Sequence, residues 1–177
     1  VAAEAKNYQP GHPLDPDTSM GALIDKAHLE RVLAYIEAGS KETDLLLGGK
    51  AQTACKGGYY VEPTIFLDGS KRATVGREEV FGPVLTVVEF DSPEEALALA
   101  NRSEYGLAAA VWTADQALAQ HMARKLKAGT VWINCYDDLV DMNFPFGGFK
   151  QSGNGRDLSL HALDKYTELK TCLQRLS

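Results

Sequence analysis

Hydrophobic residues recur at helical spacing between Ile24 and Ile36 and predict an amphipathic helix there. Gly39 follows at the position where a left-handed glycine commonly ends a helix. Two further apolar stretches, residues 44–47 and 59–66, are bounded by glycine-containing turns and are typical of short strands. The first half of the chain is therefore predicted to combine one long helix with two strands.

From residue 84 onward, short apolar runs alternate with amphipathic stretches. Such alternation is the mark of a parallel sheet covered by crossover helices, which are right-handed by rule. The sequence predicts an α/β fold with an open, mainly parallel sheet. The expected strands are 84–88, 107–112 and 130–134, and the expected helices are 92–101, with Ser92 as its cap, and 115–127.

The last part of the chain has a different character. A glycine-rich loop at 147–155 leads to a short predicted helix at 158–164. Residues 167–173 then alternate between apolar and polar side chains, which predicts a C-terminal edge strand. Because an unpaired edge invites another strand, we expect this segment to pair with a second subunit in a homo-oligomer.

Composition and charge narrow the class of protein. The chain has 177 residues, 45% hydrophobic, with a net charge of -6 and scattered basic residues, which disfavours nucleic acid as a partner. Neither a signal peptide nor an apolar membrane span is present in the sequence, so we expect no membrane and a cytoplasmic protein. The three cysteines form no CxxC pair and the four histidines no HExxH motif, so we expect reduced thiols and no metal.

Ligands of open α/β sheets bind beyond the carboxyl ends of the strands, which directs attention to residues 136–148. This segment mixes carboxylates with aromatic residues. It forms either the wall of a small-molecule site or a connector whose Asp residues cap turns and whose Phe residues pack inward. The glycines at 147–148 and 153–155 favour a structural turn over a phosphate loop, because no lysine follows Gly153.

Two segments carry a family resemblance. Residues 78–84 (EEVFGPV) resemble the EEIFGPV segment of aldehyde dehydrogenases, and residues 145–156 (PFGGFKQSGNGR) resemble their PFGGxKxSGxGR segment. Intervening motifs fall in the family's order, so the resemblance covers nearly the whole chain. It implies that residues 1–165 correspond to the C-terminal portion of the catalytic domain and residues 166–177 to an oligomerisation strand. The helix-forming residues 1–6 lack an N-cap, and we expect the dinucleotide-binding domain to lie upstream.

The resemblance implies NAD or NADP as the cofactor. Glu79 matches the family's carboxylate that binds the hydroxyls of the ribose on the nicotinamide side. Phe81 matches a residue that lies beside the nicotinamide ring. The alternative is that Glu79 forms an ion pair with Arg72 or Arg77 and that Phe81 belongs to the core.

The resemblance also places an aldehyde pocket in the second half of the chain. Phe146 matches the aromatic residue that lines this pocket. The segment that contains Asp137, Asp138, Leu139 and Asp141 matches the family's substrate-anchoring loop. These five residues are the candidate substrate-binding residues.

The resemblance implies no catalytic residue within this chain. The family reaction needs a cysteine nucleophile and a glutamate base, both expected upstream. Cys55, Cys135 and Cys172 lack the matching Gly-x-x-Cys context and are interpreted as supporting or bystander thiols. The chain is therefore interpreted as an inactive fragment of an aldehyde dehydrogenase. A non-catalytic oligomerisation or interaction module of the same fold is the alternative, and an unrelated nucleotide-binding α/β domain is disfavoured by the missing phosphate motif.

One branch of the family matches best. Residues 150–157, 159–163 and 167–171 are similar to those of gamma-glutamyl-gamma-aminobutyraldehyde and guanidinobutyraldehyde dehydrogenases. Acidic residues clustered at the expected pocket mouth would favour a substrate that carries an amine or guanidinium group. The sequence thus predicts an aminoaldehyde substrate and a role in polyamine catabolism.

Overall fold

The structure is a computed structural model that describes residues 1–52, 57–137 and 141–176. It contains two compact units, Val1–Glu89 and Phe90–Ser177. Unit 1 consists of α1 (Ala2–Ala5), α2 (Lys26–Glu42), β1 (Asp44–Leu47), β2 (Ala51–Gln52), β3 (Tyr60–Val61), β4 (Thr64–Leu67), a 3-10 turn (Thr74–Gly76) and β5 (Val84–Val87). Unit 2 consists of α3 (Pro93–Arg102), β6 (Ala108–Val111), α4 (Gln116–Lys125), β7 (Thr130–Ile133) and two 3-10 turns (Lys150–Ser152 and Leu160–Lys165).

Helix α2 organises the core of unit 1. It begins where the Asp25 carboxylate accepts a hydrogen bond from the backbone N–H of His28, at 2.7 Å. Its buried face contributes Val32 and Ile36 to the core cluster. The prediction that Gly39 ends the helix is wrong, since α2 continues to Glu42. A Cβ atom on Gly39 would lie 2.8 Å from a methyl carbon of Val75, so glycine serves close packing there.

The sheets of unit 1 are mixed rather than mainly parallel. Strand β4 pairs antiparallel with β1 and parallel with β5, while β2 pairs antiparallel with β3. The single strand predicted over 59–66 is therefore wrong. It is divided by Glu62 and Pro63, because proline has no N–H to donate to a ladder.

Unit 2 confirms the predicted alternation of strand and helix. Strands β6 and β7 pair in parallel and are connected through α4. The side chain of Ser92 accepts from the backbone N–H of Glu95, and that of Asp115 accepts from the N–H groups of Ala117 and Leu118. Both helices thus begin at the residues that the sequence indicates.

The predicted C-terminal edge strand is not formed. Residues 167–176 have no strand pairing and are exposed along their length. A strand is held by hydrogen bonds to a neighbour, and the single chain offers none here. The short helix expected at 158–164 is present as the 3-10 turn Leu160–Lys165.

A set of hydrogen bonds, which we call the backbone clamp, connects the ends of α3, α4 and the strands of unit 2. The Asn101 side chain donates to the carbonyl of Lys125 and accepts from the N–H of Lys127. The Lys150 ammonium donates to the carbonyls of Asn101 and Ser103, at 3.0 and 2.7 Å. The clamp is completed by Gly106, whose N–H donates to the Ser152 hydroxyl, and whose carbonyl accepts from the N–H groups of Gly129 and Phe149.

Asp68 is a buried carboxylate at the end of β4, with 1% of its surface exposed. Burial raises its pKa, but this effect is outweighed by hydrogen bonds from the Ser70 hydroxyl and from the backbone N–H groups of Ala73, Lys71 and Ser70. Its pKa therefore lies below the ordinary value of 3.8. The charged form stabilises the turn that follows β4.

We expect Asp68→Asn to lower the free energy of unfolding by about 2 kcal/mol at neutral pH, because an amide cannot accept all of these hydrogen bonds. A carboxylate with a lowered folded-state pKa stabilises the fold above its unfolded pKa, and this stabilisation is lost as the pH falls through the folded value. The variant should consequently lose less stability than the wild type below pH 3.8. Urea unfolding at several pH values measures this, with the exposed Asp44→Asn as control.

We also expect Lys150→Met to lower the free energy of unfolding by about 1 kcal/mol, because it removes the two hydrogen bonds at the end of α3. Lys150 already has a positive φ of 54°, so the backbone strain is the same in both proteins. The control is Lys127→Met, which removes an exposed ammonium outside the clamp. Equal urea midpoints for the two variants would contradict the role of the Lys150 side chain.

Candidate functional site

The segment 78–82 presents Glu79 and Phe81 at the surface of unit 1. The Glu79 carboxylate is exposed and makes no ion pair or hydrogen bond with a described residue, Arg72 and Arg77 included. Phe81 is 67% exposed and is not part of the core. The alternative in which both residues have structural roles is therefore not observed. Both side chains are accessible to a ligand.

Helix α2 contacts the segment 78–82 through hydrogen bonds from two of its side chains. The His28 ring nitrogen Nε2 lies 2.6 Å from the carbonyl oxygen of Phe81. The Tyr35 hydroxyl donates to the Glu78 carboxylate at 2.9 Å. Glu78 thus has a hydrogen-bond partner on α2, whereas the described part of the chain provides none for the carboxylate of its neighbour Glu79.

Unit 2 contains an open cleft of about 660 Å³, within the range of small-molecule sites. Carboxylates occur among the described residues of its lining, and basic side chains do not. The lining residues are Gly129, Thr130, Val131, Trp132, Cys135, Asp137, Asp141, Phe144, Pro145, Phe146 and Leu158. The cleft combines an apolar wall with negative charge.

Asp137, Asp141 and Phe146 from the sequence prediction all line this cleft. Asp137 is exposed and has a positive φ of 53°, a conformation that Asp and Asn tolerate better than most residues. Phe146 is 40% exposed and is fixed by a two-way backbone pairing with Asp157.

The turn-capping interpretation holds in part for Asp141. One carboxylate oxygen of Asp141 accepts from both the backbone N–H and the side-chain amide of Asn143, at 2.8 and 2.7 Å. Asp141 therefore shapes the loop as well as lining the cleft. Asp138 and Leu139 lie outside the described residues.

The candidate residues belong to two groups. Glu79 and Phe81 are in unit 1, and the cleft residues are in unit 2. Sequence reasoning missed Trp132, Leu158 and His28. The predicted site began after the end of β7, whereas Trp132 lies on that strand. Its ring centroid is 5.0 Å from that of Tyr136.

Two of the three cysteines lie within the described residues. Cys135 is a half-buried free thiol in the cleft and Cys172 is an exposed one, while Cys55 lies outside the described residues. Within the described ranges, no group of three or more His, Cys, Asp or Glu residues is arranged to hold a metal ion. No helix in these ranges has the length and apolarity needed to cross a bilayer.

Known proteins resemble this chain over most of its length. The NADP/NAD-dependent aldehyde dehydrogenase PuuC of Escherichia coli is 56% identical over 168 residues, which are 95% of this chain and 33% of that protein. The solved gamma-glutamyl-gamma-aminobutyraldehyde dehydrogenase from Burkholderia cenocepacia is 61% identical with a TM-score of 0.91, covering 95% of this chain and 34% of its own. The P. syringae AldA indole-3-acetaldehyde dehydrogenase, solved as a mutant in complex with NAD+ and IAA, is 54% identical with a TM-score of 0.92. The match covers 96% of this chain and 34% of the AldA chain.

The chain spans about a third of the length of these relatives. The family model for aldehyde dehydrogenases matches residues 1–172. The matched range contains both sequence motifs, the exposed Glu79 and the cleft of unit 2. The chain therefore belongs to the aldehyde dehydrogenase family.

Proposed function

We propose that this chain supplies the substrate-side wall and one cofactor contact of an NAD(P)-dependent dehydrogenase that oxidises an aldehyde to a carboxylate. The observation that carries the proposal is the segment 78–82, which leaves the Glu79 carboxylate accessible and without a partner among the described residues. An exposed carboxylate two residues from an exposed aromatic ring is suited to a ligand with a diol and a flat ring.

The cofactor-binding role falls to Glu79 and Phe81. Two carboxylate oxygens match the two hydroxyls of a ribose, and the exposed Phe81 ring offers an apolar surface to a nicotinamide. PuuC is named for both NADP and NAD, and AldA is solved with NAD+, which supports a nicotinamide dinucleotide here.

The aldehyde-binding role falls to the cleft of unit 2. Phe146 would pack against the substrate chain, while Asp137 and Asp141 would face its far end. At an effective dielectric near 20, a carboxylate about 4 Å from a cation gains roughly 4 kcal/mol before desolvation. Two carboxylates in the described lining thus favour an aminoaldehyde, which the likeness to the Burkholderia cenocepacia enzyme also supports.

We place the nucleophile and the general base outside this chain, so the chain by itself is expected to be inactive. The Cys135 thiol lies in the cleft, but the family's nucleophile belongs to a different sequence context, and we assign Cys135 to the cleft wall. The half-exposed strands of unit 2 support a place within a larger protein, because parallel strands are normally covered on both faces.

The non-catalytic alternative has one specific observation in its favour. Residues 166–176 are exposed, and Leu169, Leu173 and Leu176 project no apolar surface into a core. We propose that this segment is an oligomerisation strand that pairs with a second copy. Such pairing is compatible with the enzymatic role and does not require it.

We expect Glu79→Gln to raise the Kd for NAD about tenfold in the enzyme that contains this chain, because the amide retains one acceptor and loses the charge. Fluorescence titration with NAD measures cofactor affinity, and the KM for the aldehyde reports separately on the substrate. The control is Glu89→Gln, which removes an exposed carboxylate two residues after the end of β5. An unchanged Kd for NAD and an unchanged turnover would remove the assigned role of Glu79.

We expect Asp137→Asn to lower kcat/KM for 4-guanidinobutyraldehyde about tenfold, since one charge contact is lost. Asn tolerates the positive φ at this position, so the loop should keep its backbone conformation. Turnover of hexanal serves as the control. It should remain within about twofold of the wild-type rate, because hexanal carries no charge for Asp137 to contact. Equal use of both aldehydes by the wild-type enzyme would contradict an aminoaldehyde substrate.

A further inference from the structure

One face of α2 contacts the segment 78–82 at three residues, Glu78, Phe81 and Gly82. His28, Val32 and Tyr35 lie four and three residues apart, so they project from the same side of the helix. His28 reaches the Phe81 carbonyl and Tyr35 reaches the Glu78 carboxylate. Val32 lies between His28 and Tyr35 on the helix. A Cβ on Gly82 would lie 2.9 Å from one of its methyl carbons, which shows how closely the backbone approaches the helix.

The conformation held by these contacts is an unfavourable one for Phe81. Its φ is 55°, in the left-handed region that bulky residues rarely adopt. The His28 ring also lies 5.9 Å from the Phe81 ring, centroid to centroid. Strained backbone of this kind persists only where the surroundings fix it, and it occurs often at ligand sites.

The His28 ring contributes a second unfavourable feature. Because the Phe81 carbonyl can only accept, Nε2 is the donor, and in the neutral ring Nδ1 is then an acceptor. Nδ1 is buried without a hydrogen-bond partner among the described residues. Two features that lower stability therefore meet at one contact, which points to a role other than stability.

We propose that His28 and Tyr35 are positioning residues, which hold the segment 78–82 from the α2 side so that Glu79 and Phe81 face the nicotinamide dinucleotide. This inference rests on the proposed function, in which Glu79 and Phe81 contact the cofactor. With the segment fixed at Glu78 and at Phe81, the intervening Glu79 has little backbone freedom left to lose when the cofactor binds.

The experiment compares His28→Leu and Tyr35→Phe in the enzyme that contains this chain. His28→Leu removes the donor to Phe81, and Tyr35→Phe removes only the hydroxyl that bonds Glu78. We expect the Kd for NAD to rise about tenfold in the first variant and about threefold in the second, with the KM for the aldehyde unchanged. His121→Leu, at an exposed position on α4, is the matched control.

A readout without catalysis comes from hydrogen exchange of the cofactor-free enzyme. The backbone amides of residues 79–82 should exchange faster in both variants, while those of β4 should be unchanged. His28→Gln can still donate to the Phe81 carbonyl, so it should restore part of the affinity for NAD. If His28→Leu fails to fold, Tyr35→Phe alone decides, and wild-type exchange and affinity in that variant would overturn the proposal.

Combination with Glu79→Gln separates this inference from the proposed function. If the two residues act through Glu79, adding His28→Leu to Glu79→Gln should weaken NAD binding by less than it does alone. An unchanged affinity in Glu79→Gln itself would contradict the proposed function. A normal effect of Glu79→Gln together with no effect of His28→Leu, or with a fully additive one, would overturn the positioning role.

Discussion

The packing of one face of α2 is the interaction on which unit 1 depends. Gly39 lets Val75 and Phe66 approach the helix closely, and Val32 on the same helix lies against Gly82 of the segment 78–82. Core packing and the placement of Glu79 thus arise from one contact surface. A displacement of α2 would disturb both, because packed interiors transmit even small changes of volume.

Unit 2 is held in a different way. Among its described residues, only Ala119 and Met122 are buried hydrophobic side chains, and every residue of β6 and β7 is half-buried. Hydrogen bonds of the backbone clamp therefore define its geometry more than apolar burial does. Gly129 shows how strict this geometry is, since a Cβ there would lie 1.6 Å from the carbonyl oxygen of Gly147.

The sequence was informative where structure is decided locally. The Ser92 cap and the start of the second helix at Asp115 depend on nearby residues, and the structure confirms both positions. The reason for Gly39 was not predictable, because its neighbour Val75 is distant in sequence. The predicted C-terminal strand is not formed in the single chain for a related reason. Alternation identifies a possible strand but not the neighbour that would pair with it.

The family motifs located the candidate site, yet they did not reveal how it is held. The left-handed conformation of Phe81 and the contact with His28 depend on the relation between α2 and a segment 53 residues away. Asp137 was likewise identified by position alone, and its unusual backbone conformation emerged only in three dimensions.

The division of labour around the cleft bears on how enzymes of this kind diversify. The side chains of the clamp come from Asn101, Lys150 and Ser152, and none of these three residues lines the cleft. Side chains such as Asp137 and Phe144 can therefore be exchanged during evolution while the scaffold stays intact. Relatives that share more than half of their residues with this chain are named for an indole aldehyde in one case and a gamma-glutamylated aldehyde in another, as expected of a scaffold whose specificity can drift.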